Sequence, residues 1–535
     1  MPNSLLADSS SPSDSRRISL LRKNNWFLPL LLTIAAAAQW LCWETFISGL
    51  DSGNYWLGIS DYSIADERPH APGYPAFILL CRATVWLVGG HHYGMLLAVL
   101  LMSVGAIWAC YRLAASLFGN RVARVAAAFL ASNPLFFFYS ITTETYAFDA
   151  LCSSLLMVLS LGRKPSTFLG LGIAVGVSLG FRSTSPVLLA PVLGFLLWHA
   201  WRSGNLHRHN LFWPIGGLVI GLGCWLPFVM LQEGGAIAYL RAATNLSADS
   251  AGTFLGNLAG FAIAGFWGLN IAWAYLAFRW KALACFRFRQ RTLRRGVLWW
   301  WIVPIVLFFS LVIYAKGYAL LILPGCCLVV AWLAVNEPQR WFQATVIGGV
   351  VAANLAIFFL VPYQVPPYFT AFSPRNRTAE QRAESLIGRG VSVLLPTLSH
   401  VAANDHFVAT GLQLLDNGAW GREDLTLVVV DPAAGMLLVG RVAQVYRPRL
   451  QLAVPSTFHT GLVVFLHGLG WQERKNGDAE FTPPQLLLLT RMELAEKYRE
   501  IGGTLLQEKA PFALLKFSSE QGNDLRQRID QLFSR

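Results

Sequence analysis

Between residues 25 and 361 the chain alternates apolar runs of roughly twenty residues, the length that crosses a bilayer core, with short polar breaks. The runs at 25–48, 93–117, 122–140, 146–162, 167–181, 186–201, 211–231, 254–278, 297–314, 318–335 and 341–361 predict about eleven membrane helices. A further apolar segment, APGYPAFILLCRATVWLVGG at 71–90, lies between the first two. Pro72 and Pro75 at its start and Gly89 with Gly90 at its end predict a helix of its own. After residue 362 the pattern changes. Beyond the Pro-rich PYQVPPYF, AEQRAESLIGRG and TRMELAEKYREIGG read as helices, while DLTLVVVD, GLVVFLHG and APFALLKFS read as buried strands. Residues 363–535 are therefore expected to form a small α/β domain, long enough to bury its own core.

Composition agrees with a membrane protein. The chain is 55% hydrophobic and 13% charged, with a mean hydropathy of +0.47, whereas soluble domains carry about 25% charged residues. Residues 1–362 hold 24 Lys/Arg against 12 Asp/Glu, and the remainder is nearly balanced at 18 against 17. Basic loops retained on the cytoplasmic side account for that excess, so a nucleic-acid partner is not needed. With residues 1–24 as a cytoplasmic tail, Arg121, Arg124, Arg163, Lys164, Arg202, Arg208 and the cluster from Arg279 to Arg295 all fall inside. Counting 71–90 as a span would export that cluster. The segment is thus expected to be a re-entrant or interfacial helix in the first external loop, the alternative being a short true span compensated by another that does not cross. The expected fold class is a polytopic α-helical membrane protein with a C-terminal extracytoplasmic α/β domain, comprising residues 25–362 and 363–535. All eight cysteines precede residue 328, so the C-terminal domain has no disulfide framework. His91 and His92 stand without acid or Cys ligands at metal spacing, and no metal site is assigned.

The first external loop contains DSGNYWLGISDYSIADERPHAPGYP, residues 51–75. Asp51 at the end of the first apolar run, an acidic loop and HAPGYP ahead of an apolar helix resemble the first lumenal loop of the GT-C superfamily of integral-membrane glycosyltransferases. The similarity is to the protein O-mannosyltransferase and aminoarabinose transferase group. TTETYAFDAL at 142–151 and YAKGYALLILPG at 314–325 are similar to further elements of that group, in the same order. Asn54 stands where the branch often has Glu, and Ala71 replaces a Pro. The loss of a second carboxylate leaves an acidic pair, and any divalent metal, open. The resemblance implies a polyprenyl-phosphate sugar as donor, and glycosyl transfer to a lipid, glycan or protein acceptor on the extracytoplasmic face of a membrane, here expected to be the bacterial inner membrane. No cofactor beyond that donor is implied.

Such a reaction needs a base for the acceptor, charge stabilisation for the departing lipid phosphate and a grip on the sugar. Asp51 is the candidate base, although Ser52 and Gly53 also suit an ordinary turn. Glu144, in a very short external turn, is a second catalytic candidate, with a helix N-terminal acid as the plainer alternative. Asp66, Glu67, His70, Tyr74 and Tyr146 are candidates for substrate binding. Arg182 and Lys316, with Tyr318 beside the latter, are candidate cations for phosphate, and either could instead snorkel to the interface; Arg241 is a third candidate, in a long external loop that is either a lid over the acceptor site or a mere linker. A transporter or flippase of a lipid-linked sugar is the alternative reading. It would be expected to show internal repeats with interrupted helices at matching places, a pattern not found in the sequence.

Overall fold

Helices occupy the apolar runs because a bilayer offers no water to satisfy backbone N–H and C=O groups. The structure is a computed structural model that describes residues 26–47, 50–65, 68–162, 164–202, 212–244, 254–281, 293–311, 316–362, 396–419, 426–430, 445–446, 451–455, 462–466, 470–474, 485–500, 502–509 and 512–517. Along the first two thirds run α1 (Phe27–Leu41), α2 (Leu50–Ser60), α3 (Pro75–Leu87), α4 (Tyr93–Phe118), α5 (Asn120–Ser132), α6 (Pro134–Ser140), α7 (Ala147–Ser160), α8 (Pro165–Phe181) and α9 (Thr184–Arg202). They continue as α10 (Phe212–Gly223), α11 (Leu226–Gln232), α12 (Ala236–Thr244), α13 (Phe254–Leu269), α14 (Ile271–Phe278), α15 (Leu293–Leu311), a 3-10 turn (Lys316–Leu321), α16 (Leu323–Val335) and α17 (Arg340–Leu360). Every expected run holds a helix. Among the described residues, four helices are long and apolar enough to cross a membrane, or six when each of two bent pairs is taken as one span. Others, including Phe27–Leu41 and Ala147–Ser160, are shorter.

Two of the expected spans are broken. The run at 122–140 bends by 61° between α5 and α6, and that at 254–278 by 88° between α13 and α14. An asparagine occupies each break. The Asn133 Oδ1 accepts from the amides of Leu135 and Phe136, and the Asn270 Oδ1 accepts from that of Ile271, so each restarts a helix by capping it. Asn354 on α17 joins them. It accepts from Asn270 Nδ2 at 2.6 Å and donates to Ser132 Oγ at 3.1 Å, while Asn133 Nδ2 donates to the Gly268 carbonyl.

The stretch from Cys42 to Pro75 departs from expectation in two places. The run at 25–48 leaves the helix after Leu41, because the backbone amides from Glu44 to Ile47 take partners elsewhere in the molecule. Asp51 therefore lies in the first turn of the separate helix α2 rather than directly behind a span. Secondly, α3 begins at Pro75, so Pro72 precedes the helix instead of lying in its first turn. Gly89 and Gly90 adopt positive φ just beyond its end, as expected of helix-stopping glycines. One face of α3, with Phe77, Ile78 and Cys81, is buried, while Trp86 and Leu87 are exposed.

Beyond residue 395, the 22-residue helix α18 (Leu398–Ala419) precedes a seven-stranded sheet containing α19 (Met492–Glu500). Its strands are β1 (Thr426–Val430), β2 (Gln451–Pro455), β3 (Leu462–Leu466), β4 (Gly470–Arg474), β5 (Gln485–Arg491), β6 (Thr504–Lys509) and β7 (Phe512–Phe517). They lie in the order β4-β3-β2-β1-β5-β7-β6, with the central β2, β1 and β5 parallel and the flanks antiparallel. Val408, Leu412, Leu414 and Leu415 of α18 bury against Leu487, Leu489, Phe512 and Leu514. The strands expected at DLTLVVVD, GLVVFLHG and APFALLKFS and the helix at TRMELAEKYREIGG are present. The helix expected at AEQRAESLIGRG and the tail 1–24 lie outside the described residues.

Candidate active site

The loop from Asp61 to Tyr74 folds back on itself. Arg68 pairs with Asp61, and the backbones of Ser63 and Arg68 bond to each other both ways at 2.8 Å. On its far side, the Ile64 amide donates to Glu233 at 2.8 Å, which fixes the loop against α11. The chain then turns through Gly73 and Tyr74, both at positive φ, into Pro75. This turn brings His70 over α2. His70 Nδ1 lies 3.6 Å from Asp51 Oδ1, close enough for an ion pair though beyond hydrogen-bonding distance, and its Nε2 lies 3.2 Å from the Tyr74 hydroxyl. Asp51 keeps 43% of its side-chain surface exposed and His70 keeps 28%. Tyr55, buried beneath them, meets Tyr74 and Phe77 edge-on with ring centroids 5.1 and 5.2 Å away.

A buried cation lies in the same neighbourhood. Arg182, at the C-cap of α8, is 5% exposed. Its Nε lies 3.2 Å from the Asp149 carboxylate on α7, and Nη1 donates to the Thr145 hydroxyl at 2.8 Å. The guanidinium carbon sits 4.5 Å from the Tyr146 ring centroid and 5.3 Å from that of Tyr318, both within cation–π range. Asp149 also accepts from Ser185 Oγ at 2.5 Å. Thr145 and Ser185 hydrogen-bond the two groups, while Arg182 Nε, close to Asp149, makes no hydrogen bond, so the buried pair is held chiefly by charge. Gly317 completes the wall: a Cβ there would fall 2.0 Å from the Tyr146 ring, so only glycine lets the 3-10 turn approach closely enough to place Tyr318 against Arg182.

The acidic and aromatic groups form one neighbourhood. Asp51 acts electrostatically on Tyr55, Tyr74, Tyr146 and Tyr318, and Glu144 acts on Tyr146. Burial, opposed by Arg182 and reinforced by Asp51, pushes the Tyr74 hydroxyl up to about 12, so it stays protonated as a donor across the physiological range. The structure thus gathers Asp51, His70, Tyr74, Glu144, Tyr146, Arg182 and Tyr318 from five separate stretches of chain. Arg241 is exposed in the last turn of α12. Lys316 opens the 3-10 turn beside Gly317, with its side chain outside the described residues, as are Asp66 and Glu67 entirely. Among the described residues, no three His, Cys, Asp or Glu side chains converge as a metal-binding set.

Sequence analysis missed the contacts that hold this neighbourhood from outside. Glu44, 1% exposed, accepts from the Thr143 amide at 2.7 Å and the Thr143 hydroxyl at 2.6 Å. Asp405 on α18 accepts from the amides of Thr45 and Phe46 at 2.9 and 3.0 Å, and the Tyr446 hydroxyl accepts from that of Ile47 at 2.9 Å. Only the isolated acid within an apolar run could have singled out Glu44.

Comparisons with known proteins bear on the family and the fold. Residues 69–231, from the turn of the first loop to the end of α11, match the family model described as dolichyl-phosphate-mannose-protein mannosyltransferase. No curated protein matches the chain in sequence. In fold it is similar to ArnT from Cupriavidus metallidurans: the apo structure shares 13% identity at a TM-score of 0.59, covering 95% of this chain and 99% of that one. The structure of ArnT bound to undecaprenyl phosphate shares 14% identity at a TM-score of 0.57, covering 91% and 97%. Over residues 69–231, which begin at the second half of the 51–75 loop, the chain thus resembles the dolichyl-phosphate-mannose-protein mannosyltransferase family, and over nearly its whole length it shares the fold of ArnT.

Proposed function

We propose that the protein transfers a sugar from a polyprenyl-phosphate carrier to a lipid, glycan or protein acceptor on the extracytoplasmic face of a membrane, with Asp51 as the base. The observation that carries this reading is the pairing of a half-open carboxylate, Asp51, with His70 beside a wall whose guanidinium is already engaged by Asp149 and Thr145. Asp51 takes the proton of an acceptor hydroxyl or amine. The acceptor attacks the anomeric carbon, whose bond to the phosphate oxygen breaks, and the lipid phosphate departs with the electron pair. His70 stands beside Asp51 and hydrogen-bonds Tyr74, whose protonated hydroxyl is a further polar group for sugar or phosphate. Because Arg182 is committed to Asp149 and Thr145, it supplies a fixed positive background behind Tyr146 and Tyr318. The cations proposed for the leaving phosphate are then Lys316 and Arg241. Glu144, beside the Thr143 contact, is the second acid and completes the rim. In this reading the C-terminal domain lies on the extracytoplasmic side of a bacterial inner membrane, with the N-terminus in the cytoplasm. The undecaprenyl phosphate in the ArnT complex supports a polyprenyl-phosphate carrier of this class.

The test measures polyprenyl-phosphate sugars and envelope glycans by lipid mass spectrometry in a host lacking the protein, complemented with the native form or Asp51→Asn at equal membrane levels. The expected result is that only the native form clears an accumulated lipid-linked sugar and restores the glycan. Equal clearance by both would remove Asp51 as base and favour carriage of the lipid-linked sugar across the membrane.

A further inference from the structure

The five residues from Trp43 to Ile47 join the first span to the helix that carries Asp51, and they are held from two sides. Glu44 binds the amide and hydroxyl of Thr143, next to Glu144, and the Glu44 amide returns a bond to the Ile141 carbonyl at 3.2 Å. From the opposite direction, Asp405 receives the amides of Thr45 and Phe46, and Tyr446 receives that of Ile47. Phe46 seals the contact, with its ring edge-on to Tyr446 at 5.6 Å. His400 of α18 stacks on Phe138 of α6 at 5.2 Å, so the same helix also touches the segment that leads into the Thr143 turn.

Three consecutive amides therefore find their acceptors on residues about 360 to 400 positions away, at a place where continuing the helix would have satisfied them locally. The arrangement forfeits one helical turn in favour of a tie between the sheet-bearing C-terminal unit and the two acids of the site. We propose that Asp405 and Tyr446 are positioning residues: they fix the Trp43–Ile47 segment, and through Glu44 and Thr143 set the separation of Asp51 and Glu144. This inference rests on the reading of Asp51 and Glu144 given above. A force or ligand that shifts α18 alters the site without touching substrate.

The experiment compares full-length native protein, Asp405→Ala, Asp405→Asn and Tyr446→Phe in lipid nanodiscs, with Asp51→Asn alongside. Two readouts are taken: amide hydrogen exchange, and clearance of the lipid-linked sugar in the deletion host. Loss of an acceptor oxygen weakens a tie by roughly a factor of ten per hydrogen bond. Asp405→Ala is thus expected to raise exchange about tenfold at Thr45 and Phe46 and also at the Thr142–Thr145 turn, and to slow clearance about tenfold. Asp405→Asn, which keeps one acceptor oxygen, is expected to recover part of both effects. Tyr446→Phe should raise exchange at Ile47 and slow clearance less. Exchange at 142–145 unchanged by Asp405→Ala, or clearance at the native rate despite faster exchange, overturns the inference. Should Asp51→Asn clear normally, the base assignment falls, and the tie is decided by exchange at 142–145 alone. A variant that unfolds shows faster exchange in β5 and β7 as well; Asp405→Asn and Tyr446→Phe then decide.

Discussion

Two charged pairs flank the same group of tyrosines and are built in opposite ways. Asp51 and His70 stand 3.6 Å apart with 43% and 28% of their side chains exposed, whereas Arg182 and Asp149 stand 3.2 Å apart with 5% and 2% exposed. The first pair is the more open of the two, and a partly exposed contact of this kind contributes little to folding, about 1 kcal/mol or less. The second has every partner inside the protein, and removing one member strands a charge in a low-dielectric interior. Reactivity and architecture are thus divided between neighbouring carboxylates. An acid spent on holding the fold is not free to accept a proton, and one free to accept a proton holds nothing.

Substitutions at each pair test that division. Asp51→Asn should lower sugar transfer by about a hundredfold or more, the lower range for loss of a general base, while leaving the thermal midpoint in detergent unchanged. A fall in midpoint would give Asp51 an architectural part and erase the contrast. Arg182→Met should do the reverse, lowering stability by about 3–5 kcal/mol by leaving Asp149 unpaired, and the double variant Arg182→Met with Asp149→Leu should recover most of it. Thermal unfolding of the two forms distinguishes this from a direct role in transfer.

A titration sharpens the comparison further. Burial, with a smaller contribution from neighbouring His91, pulls His92 down to about 4 from its usual 6.5, against an opposing hydrogen bond to the Thr45 backbone. The native state favours the neutral ring. The stability this provides is complete above pH 6.5 and is lost as pH falls from 6.5 toward 4, up to about 3 kcal/mol in all. Unfolding followed from pH 7.5 to 4.5 should show this slope, and His92→Gln should flatten it. Gly317→Ala should cost about 2 kcal/mol by overpacking against Tyr146, and should shift the near-ultraviolet dichroism of the tyrosines.

Much of the membrane part was legible in the sequence because a bilayer imposes one length and one composition on every span. The helix at 75–87 was equally legible, since its Pro and Gly punctuation is local chemistry. The site was legible only as a set of candidates. Asp51, His70 and Tyr74 lie within one loop, and motif spacing points to them. The pairing of Arg182 with Asp149 depends on how α7 packs against α8, which hydropathy does not encode. The ties from Asp405 and Tyr446 end on backbone amides, and an amide leaves no mark in a residue pattern. Helix α18 did carry a signal, with Val401, Val408, Leu412 and Leu415 at helical spacing.

The breaks at Asn133 and Asn270 are joined by two routes: Asn354 links Asn270 to Ser132, and Asn133 reaches the Gly268 carbonyl. Two bends separated by about 140 residues of chain are thereby fastened to each other. Substitution of Asn354 or of Asn133 leaves unmet partners at both bends, and a compensating change at one bend leaves the other open. Positions 133, 270 and 354 are consequently bound to a common evolutionary fate, and descendants of this chain should keep or replace them together.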